Sequence, residues 1–165
     1  MLITQAPLTV TANNASKTYG DVHTLTGTAF TSSGLVNSET IGSVTLSSGG
    51  AAATANVASY AITPSAANGG SFMASNYSIT YTNGGLSIAK ANATVTANGS
   101  SVTYTGLAQS VTGFTATGLV NNQPISVLTG VTASGATGTN AGTYTNTVTG
   151  TDTNYNLTLV NGSLV

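Results

Sequence analysis

A series of blocks occurs twice in this chain in the same order, and a chain that repeats itself in this way folds as two copies of one unit. Leu8-Thr9-Val10-Thr11-Ala12-Asn13 returns as Ala93-Thr94-Val95-Thr96-Ala97-Asn98, and Thr18-Tyr19 returns as Thr103-Tyr104. Phe30-Thr31-Ser32-Ser33-Gly34-Leu35-Val36-Asn37 returns as Phe114-Thr115-Ala116-Thr117-Gly118-Leu119-Val120-Asn121. Ser59-Tyr60 returns as Thr143-Tyr144, and Asn76-Tyr77-Ser78-Ile79-Thr80 as Asn154-Tyr155-Asn156-Leu157-Thr158. Asn83-Gly84-Gly85-Leu86 returns as Asn161-Gly162-Ser163-Leu164. The spacing shortens by one residue between Tyr19 and Phe30 and by six between Pro64 and Ser75, where the first copy carries the longer loop.

The junction Leu86-Ser87-Ile88-Ala89-Lys90-Ala91 aligns with Met1-Leu2-Ile3-Thr4-Gln5-Ala6, and Val165 aligns with Ser87. The expected division is therefore 1–7 as the end of a preceding repeat or linker, 8–89 as the first domain and 90–165 as the second. The chain is expected to be one period of a longer array. Met1-Leu2-Ile3 carries no signal-peptide pattern, so an exported protein would contain this stretch internally.

Composition narrows the class. Only 3% of residues are charged, against about 25% in an ordinary globular domain. Hydrophobic residues make up 40%, and Thr, Ser and Asn dominate the rest. Thr and Val are stiff, β-branched residues that suit a pleated sheet. A mean hydropathy of +0.22 and a net charge of −1 argue against disorder, which needs low hydrophobicity or strong charge. A nucleic-acid binder needs a basic footprint, and the chain offers Lys17 and Lys90. No apolar run approaches the roughly 20 residues of a membrane span. With no Cys, disulfides and thiolate metal sites are excluded.

Tyr77 to Thr82 and Tyr155 to Leu159 alternate apolar and polar residues, the period of a half-buried strand. Each precedes Asn-Gly, which predicts a type I′ hairpin at Asn83-Gly84 and at Asn161-Gly162, with the chain returning through Leu86 and Ile88 or Leu164. Further strands are expected at 8–12, 25–30, 43–47 and 57–63. A helical turn fits within 65–73. Thr143, Thr145, Thr147, Thr149, Thr151 and Thr153 read as a solvated face opposite Tyr144 and Val148. The fold class is all-β, two tandem small Ig-like β-sandwiches, with a β-grasp-like arrangement as the alternative. At about 80 residues each copy has a small core. The expected core and core edge are Tyr19, Phe30, Tyr60, Tyr77, Ile79 and Tyr81, with Tyr104, Phe114, Tyr144, Tyr155 and Leu157 in the second copy.

These blocks resemble a pair of bacterial surface modules. The first copy is similar to the MBG domain of the YGX type, through Thr18-Tyr19-Gly20-Asp21, Gly34-Leu35-Val36, Tyr60-Ala61-Ile62 and Asn76-Tyr77-Ser78-Ile79. The second is similar to the related YDG domain, through Val102-Thr103-Tyr104-Thr105-Gly106, Gly118-Leu119-Val120, Asn140-Ala141-Gly142-Thr143-Tyr144 and Asn154-Tyr155-Asn156-Leu157. Tyr104-Thr105-Gly106 departs from the literal Tyr-Asp-Gly. The resemblance implies Tyr19, Gly20, Asp21, Tyr60, Tyr77, Tyr104, Gly106, Tyr144 and Tyr155 as structural motif residues. It also implies a tandem repeat of a secreted, filamentous-haemagglutinin-like or two-partner-secretion adhesin at the bacterial cell surface, with no catalytic residue to carry over.

Reactive chemistry has little to work with. His23 beside Asp21 lacks a nucleophile elbow and reads as a solvent-exposed loop residue. Asp21, Glu39 and Asp152 are the only carboxylates and sit in two copies, a poor basis for glycoside hydrolysis or a calcium loop. Lys17 near Asp21 is the sole candidate for an intramolecular isopeptide, and Val102 replaces it in the second copy. The Asn-x-Ser/Thr sites at Asn76, Asn92 and Asn156 are explained by composition. No enzyme, cofactor or metal is expected. The leading function is a structural stalk in an adhesin or biofilm matrix, partnered by neighbouring repeats. One alternative is a self-assembling extracellular fibre in which Met1–Val10 donates a strand. The other is a glycan or mucin binder, whose mark would be a concave Tyr cluster in one copy only. No nucleic-acid partner and no membrane insertion are expected.

Overall fold

The computed structural model describes residues 2–165 and is all-β. It divides into two compact units, Met1–Ala89 and Lys90–Val165. The first holds β1 (Ala6–Ala12), β2 (Ala15–Thr18), β3 (Phe30–Ser33), β4 (Ile41–Ser47), β5 (Ser59–Gly70), β6 (Tyr77–Thr82) and β7 (Gly84–Ala89). The second holds β8 (Ala91–Ala97), β9 (Gln109–Val111), β10 (Phe114–Thr117), β11 (Val131–Ala133), β12 (Ala136–Gly138), β13 (Tyr144–Asn146), β14 (Val148–Gly150), β15 (Tyr155–Val160) and β16 (Gly162–Leu164). Among the described residues the only helical segments are 3-10 turns at Ala74–Asn76, Val120–Asn122 and Ile125–Val127. A β-grasp needs a helix packed on its sheet, so the sandwich is the architecture that remains.

Two sheets face each other in the first unit, ordered β3-β1-β6 and β2-β7-β5-β4. Period-two alternation sends Leu8, Val10 and Ala12 of β1 inward. Leu8, Val10 and Tyr77 meet Val44 and Ala67 from the opposite sheet. Ile62 and Leu86 close the other end of the core with Ala12. Each fully buried Leu, Ile or Val contributes about 1.5–3 kcal/mol. In the second unit β10-β8-β15 forms the matching three-stranded sheet, and β13-β16, β12-β9 and β11-β14 pair opposite it. There β8 buries Ala91, Ala93, Val95 and Ala97.

The first and last strands of each unit run side by side and parallel, and both change sheets part-way. The β1·β6 ladder pairs Ala6 with Tyr77 through to Thr11 with Thr82. It resumes as β2·β7, pairing Ala15 with Leu86 through to Thr18 with Ala89, in unchanged register. Asn14 Oδ1 bridges the break by accepting from Gly85 N at 2.8 Å. The second unit repeats the arrangement: Tyr155 to Val160 pair with Ala91 to Thr96, and a bridge between Ser100 and Leu164 continues the register.

This geometry overturns the expected hairpins. β6 and β7 do not pair with each other but lie in different sheets, as do β15 and β16. Neither Asn83 nor Gly84 has a positive φ, which a type I′ turn requires. Gly84 is there because a Cβ would stand 2.6 Å from the carbonyl oxygens of Ala12 and Asn13, and Gly162 meets Ala97 and Asn98 in the same way. The glycine lets two chains cross closely at the sheet switch.

Other expectations also move. The stretch 25–29 is irregular in the first unit, and β3 starts at Phe30. The expected helical turn within 65–73 is strand: β5 runs on to Gly70 by pairing with β4, with a bulge between Ser43 and Thr45. Ala6 and Pro7, placed before the first domain, belong to β1, while Met1 lies outside the described residues. Lys90 alone separates β7 from β8. The Thr alternation is exposed as expected except at Thr147, which is half-buried.

Candidate functional site

One tyrosine per unit reaches from the core to pin the Gly-Leu-Val-Asn loop. Tyr77 opens β6 with its ring buried, and its hydroxyl donates to Glu39 Oε2 at 2.6 Å while accepting from Val36 N at 3.1 Å. Tyr155 opens β15, donates to Gln123 Oε1 at 2.5 Å and accepts from Val120 N at 3.0 Å. The pinned loops need pinning. Asn37 and Ser38 have φ of 51° and 58°, and Asn121 and Asn122 have 52° and 55°. Left-handed backbone costs an ordinary residue roughly 1–2 kcal/mol, and Asn tolerates it best. The Glu39 carboxylate, as acceptor of the phenol proton, raises the Tyr77 pKa above its ordinary value.

A second tyrosine pair lies over glycine. Tyr60 and Tyr144 each donate to a backbone carbonyl four residues back, Asn56 and Asn140, at 3.1 Å. A Cβ at Gly50 would meet the Tyr60 ring at 2.7 Å, and one at Gly138 would collide with the Tyr144 ring.

The third pair diverges. In the first unit Asp21 N donates to Thr18 O, and Gly20 takes the positive φ of 94° that a type II turn needs at its third position. Tyr19 is 6% exposed, and its backbone N–H donates to Ala89 O at 2.8 Å. Tyr104, its counterpart and an expected core residue, is 64% exposed. Gly106, with φ of 78°, comes one position later than Gly20 does, so the turn differs. In the first unit Ile88 and Ala89 pair with Lys17 and Thr18 beside the turn, whereas in the second Ser100 bridges Leu164 and Val102 N donates to Val165 O at 2.7 Å. A cleft of about 260 Å³ opens there, lined by Val102, Tyr104, Gln109, Gly142, Tyr144 and Val165 among others.

The units also differ in their buried interior. Ile62, 1% exposed in the first, is replaced by Asn146, fully buried in the second. Asn146 Nδ2 donates to Asn98 O at 3.0 Å and Gly113 O at 3.3 Å, and its Oδ1 accepts from Gly135 N at 2.9 Å. Sequence reading did not single out this residue. The signal was present, because the copy alignment sets a polar residue against an isoleucine.

The MBG domain (YGX type) family matches residues 8–87 and again 93–165. The chain belongs to the MBG domain family. Both copies are MBG domains in tandem, matched by one and the same family. No curated protein and no solved structure matches the chain.

The remaining candidates are engaged in structural bonds of the MBG domains. Lys17 Nζ donates to the backbone carbonyls of Asp21, Ala51 and Ala52, so its contact with Asp21 is with the main chain, not with the carboxylate an isopeptide would use. Asp152 Oδ1 accepts from Asn154 N at 2.7 Å and Tyr155 N at 3.1 Å, which fixes the start of β15. Its carbonyl accepts from Lys90 Nζ at 2.6 Å. Asp21 closes its turn, and Glu39 holds Tyr77. His23 is half-buried rather than exposed: its N–H donates to Ala51 O, and it lines a groove with Asn14, Leu25 and Ile62. Among the described residues no group of three or more His, Asp or Glu comes together as a metal site would require.

Proposed function

We propose that this tandem pair of MBG domains is a load-bearing spacer in the stalk of an extracellular bacterial adhesin or matrix protein, without catalytic activity, and that neighbouring repeats are its partners. The observation that carries this reading is the parallel pairing of first and last strands. Because β1·β6 and β2·β7 run parallel along one register, the chain enters a unit at one end of the ladder and leaves at the other. Tension between the two ends then lies along the strands. It loads every ladder hydrogen bond in shear at once, whereas an antiparallel hairpin would open one bond at a time. The loops pinned by Tyr77 and Tyr155 and the nearly charge-free surface suit a passive repeat that packs without self-repulsion. The second unit is a YDG-like variant on this reading, its Tyr104 turn being where it departs from the first.

Single-molecule force unfolding tests the proposal. Pulled through its ends, the chain is expected to give two separate unfolding events of about 25 nm each. The control attaches the handles at Gln5 and Asn76, which lie at the same end of the β1·β6 ladder and peel it open. End-to-end pulling should need the higher force. Equal or lower force in that geometry would remove the mechanical argument.

The exposed Tyr104 beside Tyr144 is the one-copy tyrosine cleft that a glycan-binding reading would need.

A further inference from the structure

We infer that a groove in the first unit binds the acetamido group of an N-acetylated amino sugar. The second unit shows what chemistry the place accepts. There the side chain of Asn146, itself a tethered acetamide, is fully buried. Its Nδ2 donates to Asn98 O and Gly113 O, and its Oδ1 accepts from Gly135 N. The backbone that frames it recurs in the first unit. Asn98 N donates to Gly113 O and Asn13 N to Ala29 O, both at 3.0 Å, so Asn13 stands for Asn98 and Ala29 for Gly113. Leu46 pairs with Pro64 as Ala133 pairs with Val148, so Leu46 stands for Ala133. Ile62 stands for Asn146, and its side chain offers these positions neither a donor nor an acceptor.

Beside Ile62 lies a groove of about 220 Å³, lined by Asn13, Asn14, His23, Leu25, Ala29 and Leu46 among others. Asn13, Ala29 and Leu46 are the counterparts just named. In the second unit Gln109 to Val111 form β9 and pair with β12, whereas the matching stretch 24–27 forms no strand and leaves the groove open. An acetamido group fits this lining in one orientation. Its N–H donates to the Asn13 carbonyl, as Asn146 does to that of Asn98. Asn14 Oδ1 is held by Gly85 N at 2.8 Å, which leaves Nδ2 to donate to the acetamido oxygen. The methyl lies against Leu25 and Leu46, which pack half-buried around Ile62. Water on that apolar side makes few bonds, so a methyl that displaces it gains affinity. The sugar ring then meets His23, Thr24 and Thr26 at the rim, where side-chain donors and acceptors face its hydroxyls. The groove is smaller than the roughly 300–1,000 Å³ of a drug-sized site, so one sugar residue is the occupant. None of the three carboxylates and two lysines of the chain lines it, which selects a neutral ligand. An Asn side chain of a peptide presents a similar carboxamide. The hydroxyl-binding rim favours the sugar.

NMR titration of the backbone amides with N-acetylglucosamine tests this. The signals of Asn13, Asn14, His23 and Leu25 should shift to saturation, and those of the second unit should stay in place. Glucose, which lacks the acetamido group, should bind about tenfold more weakly or worse. Ile62→Asn brings the carboxamide of the second unit into the same place and should raise the dissociation constant about tenfold or more. Thr26→Trp, at an exposed position of the rim, should block the groove without touching the core. Tyr104→Ser should leave binding unchanged. No saturable shift, equal binding of glucose, shifts centred on Tyr104, or binding indifferent to both Ile62→Asn and Thr26→Trp would each overturn the inference. So would a short Asn-containing peptide that shifts these signals when the sugar does not. None of these results bears on the force experiment, so the two proposals fail separately.

Discussion

The hydroxyl of Tyr77 donates to Glu39 at 2.6 Å, and at the matching position Tyr155 donates to Gln123 at 2.5 Å. One clamp is built with a charged acceptor and the other with a neutral one. The charged acceptor raises the Tyr77 pKa above the ordinary tyrosine value of about 10. The folded state therefore holds this proton more tightly than the unfolded chain does. The clamp's contribution is intact below about pH 10 and is lost as pH rises through the raised folded value. Site-resolved NMR titration of the tyrosine rings checks this. Tyr77 should titrate higher in the wild type than in Glu39→Gln, which should bring it back toward the ordinary range. An unchanged Tyr77 titration in that variant would refute the assignment.

Asn146 predicts an asymmetry between the units. Asn146→Ala leaves the carbonyls of Asn98 and Gly113 and the N–H of Gly135 without this partner inside the protein. Leaving buried polar groups unsatisfied costs about 1–3 kcal/mol. Asn146→Ile, the residue of the first unit, fills the volume and still removes the partner of the Asn98 carbonyl and the Gly135 N–H, while Gly113 O keeps its bond from Asn98 N, so it should not restore full stability. Ile62→Ala instead loses burial and leaves a cavity, for about 2–5 kcal/mol. Urea unfolding monitored separately on each unit distinguishes these. Full stability in Asn146→Ile would show that the hydrogen bonds contribute nothing net.

The repeat alignment made the paired core tyrosines and the pinned loops legible, while the most deeply buried side chains, Leu8, Val10, Ile62, Leu86 and Val95, lay outside the expected aromatic-led core. A residue that recurs in matched context, such as Tyr77 with Tyr155 or Asn37 with Asn121, is kept for a shared structural task. The errors came where identity was matched but surroundings were not. Tyr104 aligns with Tyr19, yet Gly106 stands one position later than Gly20, so the turn that holds Tyr19 is not rebuilt around Tyr104. Asn83-Gly84 carries a local turn signal, while the sheet switch is set by how Asn13-Asn14 and Gly84-Gly85 cross in space. Asn146 was hidden inside a threonine alternation whose inward positions looked apolar because Tyr144 and Val148 flank it.

The crossing glycine gives a sharp test of that correction. A glycine kept for a type I′ turn can be exchanged for Asn, which tolerates positive φ. A glycine kept for close approach cannot be exchanged for any residue, because the Cβ meets the carbonyl oxygens of Ala12 and Asn13 at 2.6 Å. Gly84→Asn and Gly84→Ala should therefore both destabilise the first unit by about 1–3 kcal/mol, the usual cost of forcing extra atoms into a packed site. Thermal unfolding of the two variants checks this. Near-wild-type stability in Gly84→Asn together with loss in Gly84→Ala would reinstate the turn.

Tyr19 and Tyr104 offer the last comparison. Tyr19 is 6% exposed, so Tyr19→Ser should lose burial and packing worth about 3–5 kcal/mol, the range for truncating a large aromatic. Tyr104 is 64% exposed, so Tyr104→Ser in the isolated chain should fall within about 0.5 kcal/mol of wild type, as surface substitutions do. Denaturant midpoints for the two variants against wild type measure the difference directly. Equal costs would mean that Tyr104 is held in its turn as firmly as Tyr19 is.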